Sequence, residues 1–237
     1  MSNRFSDALF QLIHSMHKAE KRNFKLYIKR NSSNQDLKII QLFDALDRQN
    51  EYDEKVLLKK LSSTKTQLAN LKTHLYKEIL ASLRLIKITE SIDLQLHEQL
   101  DYARILYNKG LYLQSLKLLD KAKEMATAYN QDSFLIQVVS LEKKIETLHI
   151  TRSMKDRNDL LTAEANDINE RRSRITKLSN LALQMYSGYV KNGHARNVDD
   201  EKRVQQYFDE NLPPGAREFT GFYERLYLYQ SICWYNF

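Results

Sequence analysis

Both prolines of the 237-residue chain sit side by side at 213 and 214, and only five glycines accompany them. So little punctuation leaves no material for the frequent tight turns of hairpins and small β-domains. Leu, Lys, Glu, Ala and Gln abound instead, and these residues lose little freedom in a helix. An all-α fold is the expectation, in a chain long enough to bury a real core. The single Cys233 allows no internal disulfide, which fits a reducing, cytoplasmic setting. The opening MSNRFSDALFQLIHSMHK lacks the unbroken apolar core of a signal peptide, since Asp7, Gln11 and His14 interrupt it. No stretch approaches the ~18 apolar residues of a membrane span.

Apolar periodicity places the helices. Phe5, Leu9, Leu12, Ile13 and Met16 share one face of a helix expected over residues 4–30, with room for a bend, ended by Asn31, Ser32, Ser33 and Asn34. A second runs over 35–49, with Ile39, Leu42, Phe43 and Leu46 inward, and a short third follows in DEKVLLKKL. Thr64 and Gln67 form a Thr-x-x-Gln capping box that opens a long helix to about residue 88. Further on, the spacing predicts a helix over 133–163 and another capped by Asp167 and Glu170 and closed by Gly193. A shorter helix over 198–208, the turn at Pro213, Pro214 and Gly215, and a terminal helix complete the chain.

Charge divides it. Residues 1–90 hold 17 Lys and Arg against 10 Asp and Glu, whereas the remainder balances at 20 of each, so the whole excess of +7 lies in the first third. Two domains are expected: a basic N-terminal helical subdomain over 1–90 and a helical repeat region over 91–237. In KAEKRNFKLYIKR, Lys18, Lys21, Arg22, Lys25 and Lys29 fall within an arc of about 100°. A solvated helix face accounts for that stripe; its alternative is a phosphate-binding surface. Residues 53–80 outline a helix-turn-helix whose second helix offers Gln67, Asn70, Thr73, His74 and Lys77 outward. A nucleic-acid-binding regulator built on these two features is therefore the second expectation.

GLYLQSLKLLDKA carries the most specific local pattern. Gly110, Tyr112, Ser115, Leu116, Leu119 and Ala122 stand where the tetratricopeptide repeat places Gly, a large residue, a small residue, Leu, an aromatic or Leu, and Ala. This segment resembles the second half of that repeat, with Ala103 at the close-packing small position of a first helix over 96–109. The Trp, Leu and Tyr positions of that helix hold Gln99, Tyr102 and Leu106, the terminal Pro position holds Thr127, and no second copy follows at a spacing of about 34 residues. The resemblance implies antiparallel helix pairs stacked as an α-solenoid, with a concave surface that takes a peptide or helix of another protein. In this register Tyr102, Arg104, Asn108 and Lys109 are the candidate protein contacts. The opening LFQLIHSMHKAEKRNFKLY also resembles the start of uncharacterised bacterial helical-repeat proteins.

No catalysis is expected, because no phosphate loop, G-x-S-x-G elbow, C-x-x-C pair or dinucleotide fingerprint occurs. HEQLD, residues 97–101, begins like a zincin helix but has Asp where the second His belongs. His14, His17 and Glu20 lack a fourth ligand, so neither a metal nor a cofactor is expected. The end, EFTGFYERLYLYQSICWYNF, stops in mid-pattern on Trp234, Tyr235 and Phe237. That ending predicts a chain cut short of its covering helix, with an aromatic surface prone to self-association.

Overall fold

The computed structural model describes residues 7–30, 34–149 and 155–236, and every regular element among them is helical. The chain divides into two compact units, residues 1–95 and 96–237. No helix among the described residues is long and apolar enough to cross a membrane.

The first unit contains α1 (Ala8–Ser15), α2 (Lys18–Arg30), α3 (Asn34–Asp47), α4 (Glu54–Leu61) and α5 (Lys65–Lys87). The helix expected over 4–30 is two helices. Met16 is buried with extended backbone (ψ 137°), and the His17 N–H donates to the Glu20 carboxylate at 2.8 Å, restarting the chain as α2. That bond, ahead of the Lys87 ammonium, holds the Glu20 carboxyl below the ordinary carboxylate range. Phe5, Asn31, Ser32 and Ser33 lie outside the described residues, and Asn34 opens α3. The core is a cluster in which the Phe24 ring packs, tilted by 37°, on Phe43 at 4.8 Å, with Leu42, Leu46, Leu57, Leu75 and Ile79 fully buried around them. Asp53 caps α4, and the expected capping box opens α5, with both Thr64–Gln67 bonds made.

The second unit comprises most of α6 (Ile92–Asn108), then α7 (Tyr112–Ala128), α8 (Asp132–His149), α9 (Lys155–Asn192), α10 (Val198–Asn211), a 3₁₀ turn (Ala216–Glu218) and α11 (Phe222–Tyr235). Gly110 adopts φ 76° between α6 and α7, and the Leu111 N–H reaches back to the Leu106 carbonyl at 2.9 Å, closing α6 in a left-handed cap. Ser115 is fully buried and its hydroxyl donates to the Ala103 carbonyl at 2.8 Å. A hydroxyl bonded to the backbone of the neighbouring helix requires close approach, which small residues on both sides permit. Leu119, Ala122 and Ala126 continue that buried side.

Downstream the helix boundaries differ from the sequence expectation. The helix expected over 133–163 ends at His149, and α9 begins at Lys155 and runs unbroken through Asp167 and Glu170. Those carboxylates do not cap a new helix. They lie four residues before arginines, Asp167 at 3.3 Å from Arg171 and Glu170 at 4.0 Å from Arg174, and such pairs support a helix interior. α8 packs antiparallel to the first half of α9, and α11 packs along the second half. At the last helix Trp234 and Tyr235 are half-buried against Tyr186 and Phe208 respectively. The Ser115 site makes a size test: Ser115→Ala should cost under about 1 kcal/mol, while Ser115→Leu should cost about 1–3 kcal/mol or more by forcing α6 and α7 apart, read by urea denaturation.

Candidate functional site

Three helices of the second unit meet on a buried charge cluster. Glu142 of α8 is wholly inaccessible to solvent. Its Oε2 lies 2.5 Å from the Lys123 ammonium of α7, and its Oε1 accepts from Arg157 of α9 at 3.4 Å. Lys123 also donates to Glu164 of α9 at 2.9 Å, and Arg157 approaches Glu146 at 3.9 Å. Burial pushes the Glu142 carboxyl above the ordinary range, and the Lys123 ammonium opposes the rise. At the other end of α8, the single N–H of Arg171 Nε is shared between the two Asp132 oxygens, each at 3.0 Å, and Nη2 lies 2.9 Å from Oδ1. These two locks set the register of α8 on α9 and fix where its cover stops, at Arg171.

Beyond that point α9 continues with Leu183, Tyr186 and Val190 exposed at 62, 45 and 62%. Arg174 anchors α11 opposite: its Nε lies 2.5 Å from buried Glu224, and its guanidinium stands over the Phe219 ring at 5.2 Å. Leu178 and Leu228 bury the seam. Between Ala182, Leu183 and Tyr186 of α9 and Tyr227, Gln230 and Trp234 of α11 runs an open trough of about 520 Å³. Trp234 also borders a larger hollow of about 1160 Å³, shaped by residues 191–198 and the start of α10. The Trp234 ring is braced by Tyr186 at 4.8 Å and Tyr189 at 5.5 Å. The trough is a candidate docking site because contiguous apolar surface on a rigid helical frame marks an interface.

The residues singled out from the sequence are spread more widely. Tyr102 is exposed and donates to Glu98 at 2.9 Å, while Arg104 donates to Gln137 of α8 at 3.1 Å and lies 3.5 Å from Asp101. Asn108 and Lys109 are exposed at the end of α6. By helical spacing Tyr102 and Lys109 project roughly 130° away from Arg104 and Asn108, on the two flanks of the buried stripe, so α6 does not gather the four on one face. Gln67, Asn70 and Lys77 are exposed on α5, and Gln67 is engaged in the capping box.

Part of the basic stripe faces carboxylates. Lys21 pairs with Asp47 and Lys25 with Asp44, each at 2.6 Å, across the contact of α2 with α3. Lys18, Arg22 and Lys29 are exposed. Lys72 is tied to Asp7 and, at 2.9 Å, to the Tyr52 hydroxyl. Burial works against the Lys72 ammonium, yet these two partners raise its pKa above the ordinary lysine value. His14 approaches the Leu46 carbonyl at 3.2 Å, and His97 packs edge-on to Phe134 at 4.7 Å. Among the described residues no group of three or more His, Cys, Asp or Glu is placed to hold a metal.

The trough was not legible from residue types alone, although one signal around it was: the run from Arg171 to Val198, which contains its α9 wall, has no Asp or Glu. Compared with protein-family models, curated proteins and solved structures, the chain matches none.

Two measurements check these pairings. Removing Lys123 (Lys123→Met) leaves Glu142 charged and buried, at a cost of about 3 kcal/mol at neutral pH. Because burial raises the folded-state pKa of Glu142 above 4.5, its penalty is absent below that pH, grows as pH rises toward the folded value and is complete above it. The loss measured by urea denaturation should therefore be larger at pH 8 than at pH 5, and Lys123→Met combined with Glu142→Met should recover most of it. Lys21→Glu/Lys25→Glu should lower the stability of the first unit by under about 1 kcal/mol per pair, since both pairs are partly exposed. Lys18→Glu/Arg22→Glu should not.

Proposed function

We propose that this chain is a non-enzymatic, cytoplasmic protein-interaction module built from stacked antiparallel helix pairs of the tetratricopeptide type. The observation that carries the reading is the trough itself: α9 outruns α8, and the part it leaves uncovered is apolar and joined to the aromatic side of α11. Helices that bury their faces only against neighbours present surface of this sort to partners. The α6–α7 hairpin supports the repeat assignment, because Gly110 takes the left-handed turn and Ser115 and Ala122 are buried at the positions where the repeat uses small residues. Lining side chains such as Leu183, Tyr186 and Tyr227 offer no nucleophile paired with a base, so the trough is suited to binding alone.

A tagged full-length chain incubated with native lysate should recover a stoichiometric protein, and Leu183→Asp/Tyr186→Asp should recover at least about tenfold less. Leu183→Asp alone, which leaves the Tyr186–Trp234 contact in place, should weaken recovery in the same direction while circular dichroism shows an unchanged fold. Failure of the unmodified chain to recover any stoichiometric protein overturns the reading.

A further inference from the structure

Resting on the protein-interaction reading, we infer that the α9–α11 trough docks an acidic amphipathic helix of a partner protein, laid along α9 as a continuation of α8.

The shape of the occupant follows from α9. Leu161, Ala165 and Ile168 are buried in its first half, where α8 packs. Leu183, Tyr186 and Val190 fall on the same side of the helix, all six within an arc of about 60°. The open surface is thus the continuation of a helix–helix interface already made in the molecule. Spacings of three, four and seven residues are those that receive the anchors of another helix.

Its charge follows from the surroundings. The stretch from Arg171 to Val198 contains Arg171, Arg172, Arg174, Lys177, Lys191 and Arg196 and no acidic residue. Arg171 and Arg174 are occupied by Asp132 and Glu224. Arg172 shares the face of Leu183 and Val190, and Lys191 flanks its far end beside the hollow that Arg196, Asp200, Glu201 and Arg203 also line, Asp200 being paired with Arg203. Arg172 and Lys191 are both exposed. α8 shows the pairing on a small scale, combining buried Phe134, Leu135 and Val138 with an Asp on an α9 arginine. A partner helix with Leu-type anchors and flanking Asp or Glu repeats that arrangement.

Two other occupants fit less well. A second copy docking trough to trough would set Arg172 and Lys191 against their own like charges. A single-stranded nucleic acid needs open ring faces on which bases stack. Here Trp234 is wedged between Tyr186 and Tyr189, and the most exposed lining side chain of α9 is the aliphatic Leu183.

The test uses the full chain and three fluorescein-labelled probes: an amphipathic peptide of about five helical turns with Leu on one face and Glu elsewhere, its Lys counterpart with the same Leu pattern, and a single-stranded oligonucleotide. Fluorescence anisotropy should show the acidic peptide binding at least about tenfold tighter than the basic one, with affinity falling as salt rises. Arg172→Glu/Lys191→Glu should reverse the preference, and Leu183→Asp/Tyr186→Asp should abolish binding of either peptide. Equal affinity for both peptides, no binding of the acidic peptide, or displacement of it by the oligonucleotide overturns the inference. So does a concentration-dependent dimer, seen by sedimentation, that Leu183→Asp dissolves.

The lysate experiment separates this failure from that of the broader reading. A captured partner lost with Leu183→Asp/Tyr186→Asp but retained with Arg172→Glu/Lys191→Glu leaves the interaction module standing and removes the acidic helix.

Discussion

The second unit depends on the register in which α8 lies against α9. Apolar side chains alone specify such a register weakly, since aliphatic surfaces slide past one another at modest cost. The charged pairs do not allow sliding. Glu142 with Lys123 and Arg157 at one end, and Asp132 with Arg171 at the other, are paired together in one alignment. A slip of one turn would strand a carboxylate that has no access to water. Desolvation makes such a cluster a poor source of net stability, and its effect lies in the alignments it forbids.

From that register comes the open surface. α9 is 38 residues long and α8 only 18, so locking α8 over the first half leaves the second half bare on the same side. α11 then covers the adjoining side, tied down by Arg174 and Glu224, and its tyrosines and tryptophan become the opposite wall. α11 is apolar nearly all round, with Phe222, Leu226 and Tyr229 exposed on its outer side. A helix of that composition belongs to an interior or an interface. The aromatic richness of the C-terminal end thus has a geometric setting: one side seals the unit, and another borders the trough.

Charge behaves differently in the two units. The first third holds the formal excess, yet two members of its basic stripe face Asp44 and Asp47 of α3 at 2.6 Å. Part of that stripe is the seam between two helices, and the paired charges do not add to a surface field in proportion to their number. The later two thirds are formally neutral, but acids and bases are segregated within them. An acid-free run along α9 places Arg172 on the open face and Lys191 at its far end, a local pattern that a whole-segment sum erases. Distribution, more than total, sets which partners a surface attracts.

The sequence by itself determined the helices. Scarcity of Gly and Pro ruled out a turn-rich fold, apolar spacing marked most spans, the Thr64–Gln67 box placed the start of α5, and Gly110 with Ser115 and Ala122 marked the tight α6–α7 hairpin. These features are local, governed by backbone sterics and by neighbours three or four residues away. Where local signals were equivocal, the boundaries moved: Glu20 broke the first helix at Met16, and Asp167 and Glu170, read as caps, proved to be helix-interior partners of Arg171 and Arg174. Only the tertiary structure decided which charges are matched and that Leu183, Tyr186 and Val190 remain uncovered. A side chain's periodicity tells which face of a helix it occupies. Whether that face is covered depends on the length and register of another helix, set by contacts between residues far apart in the chain.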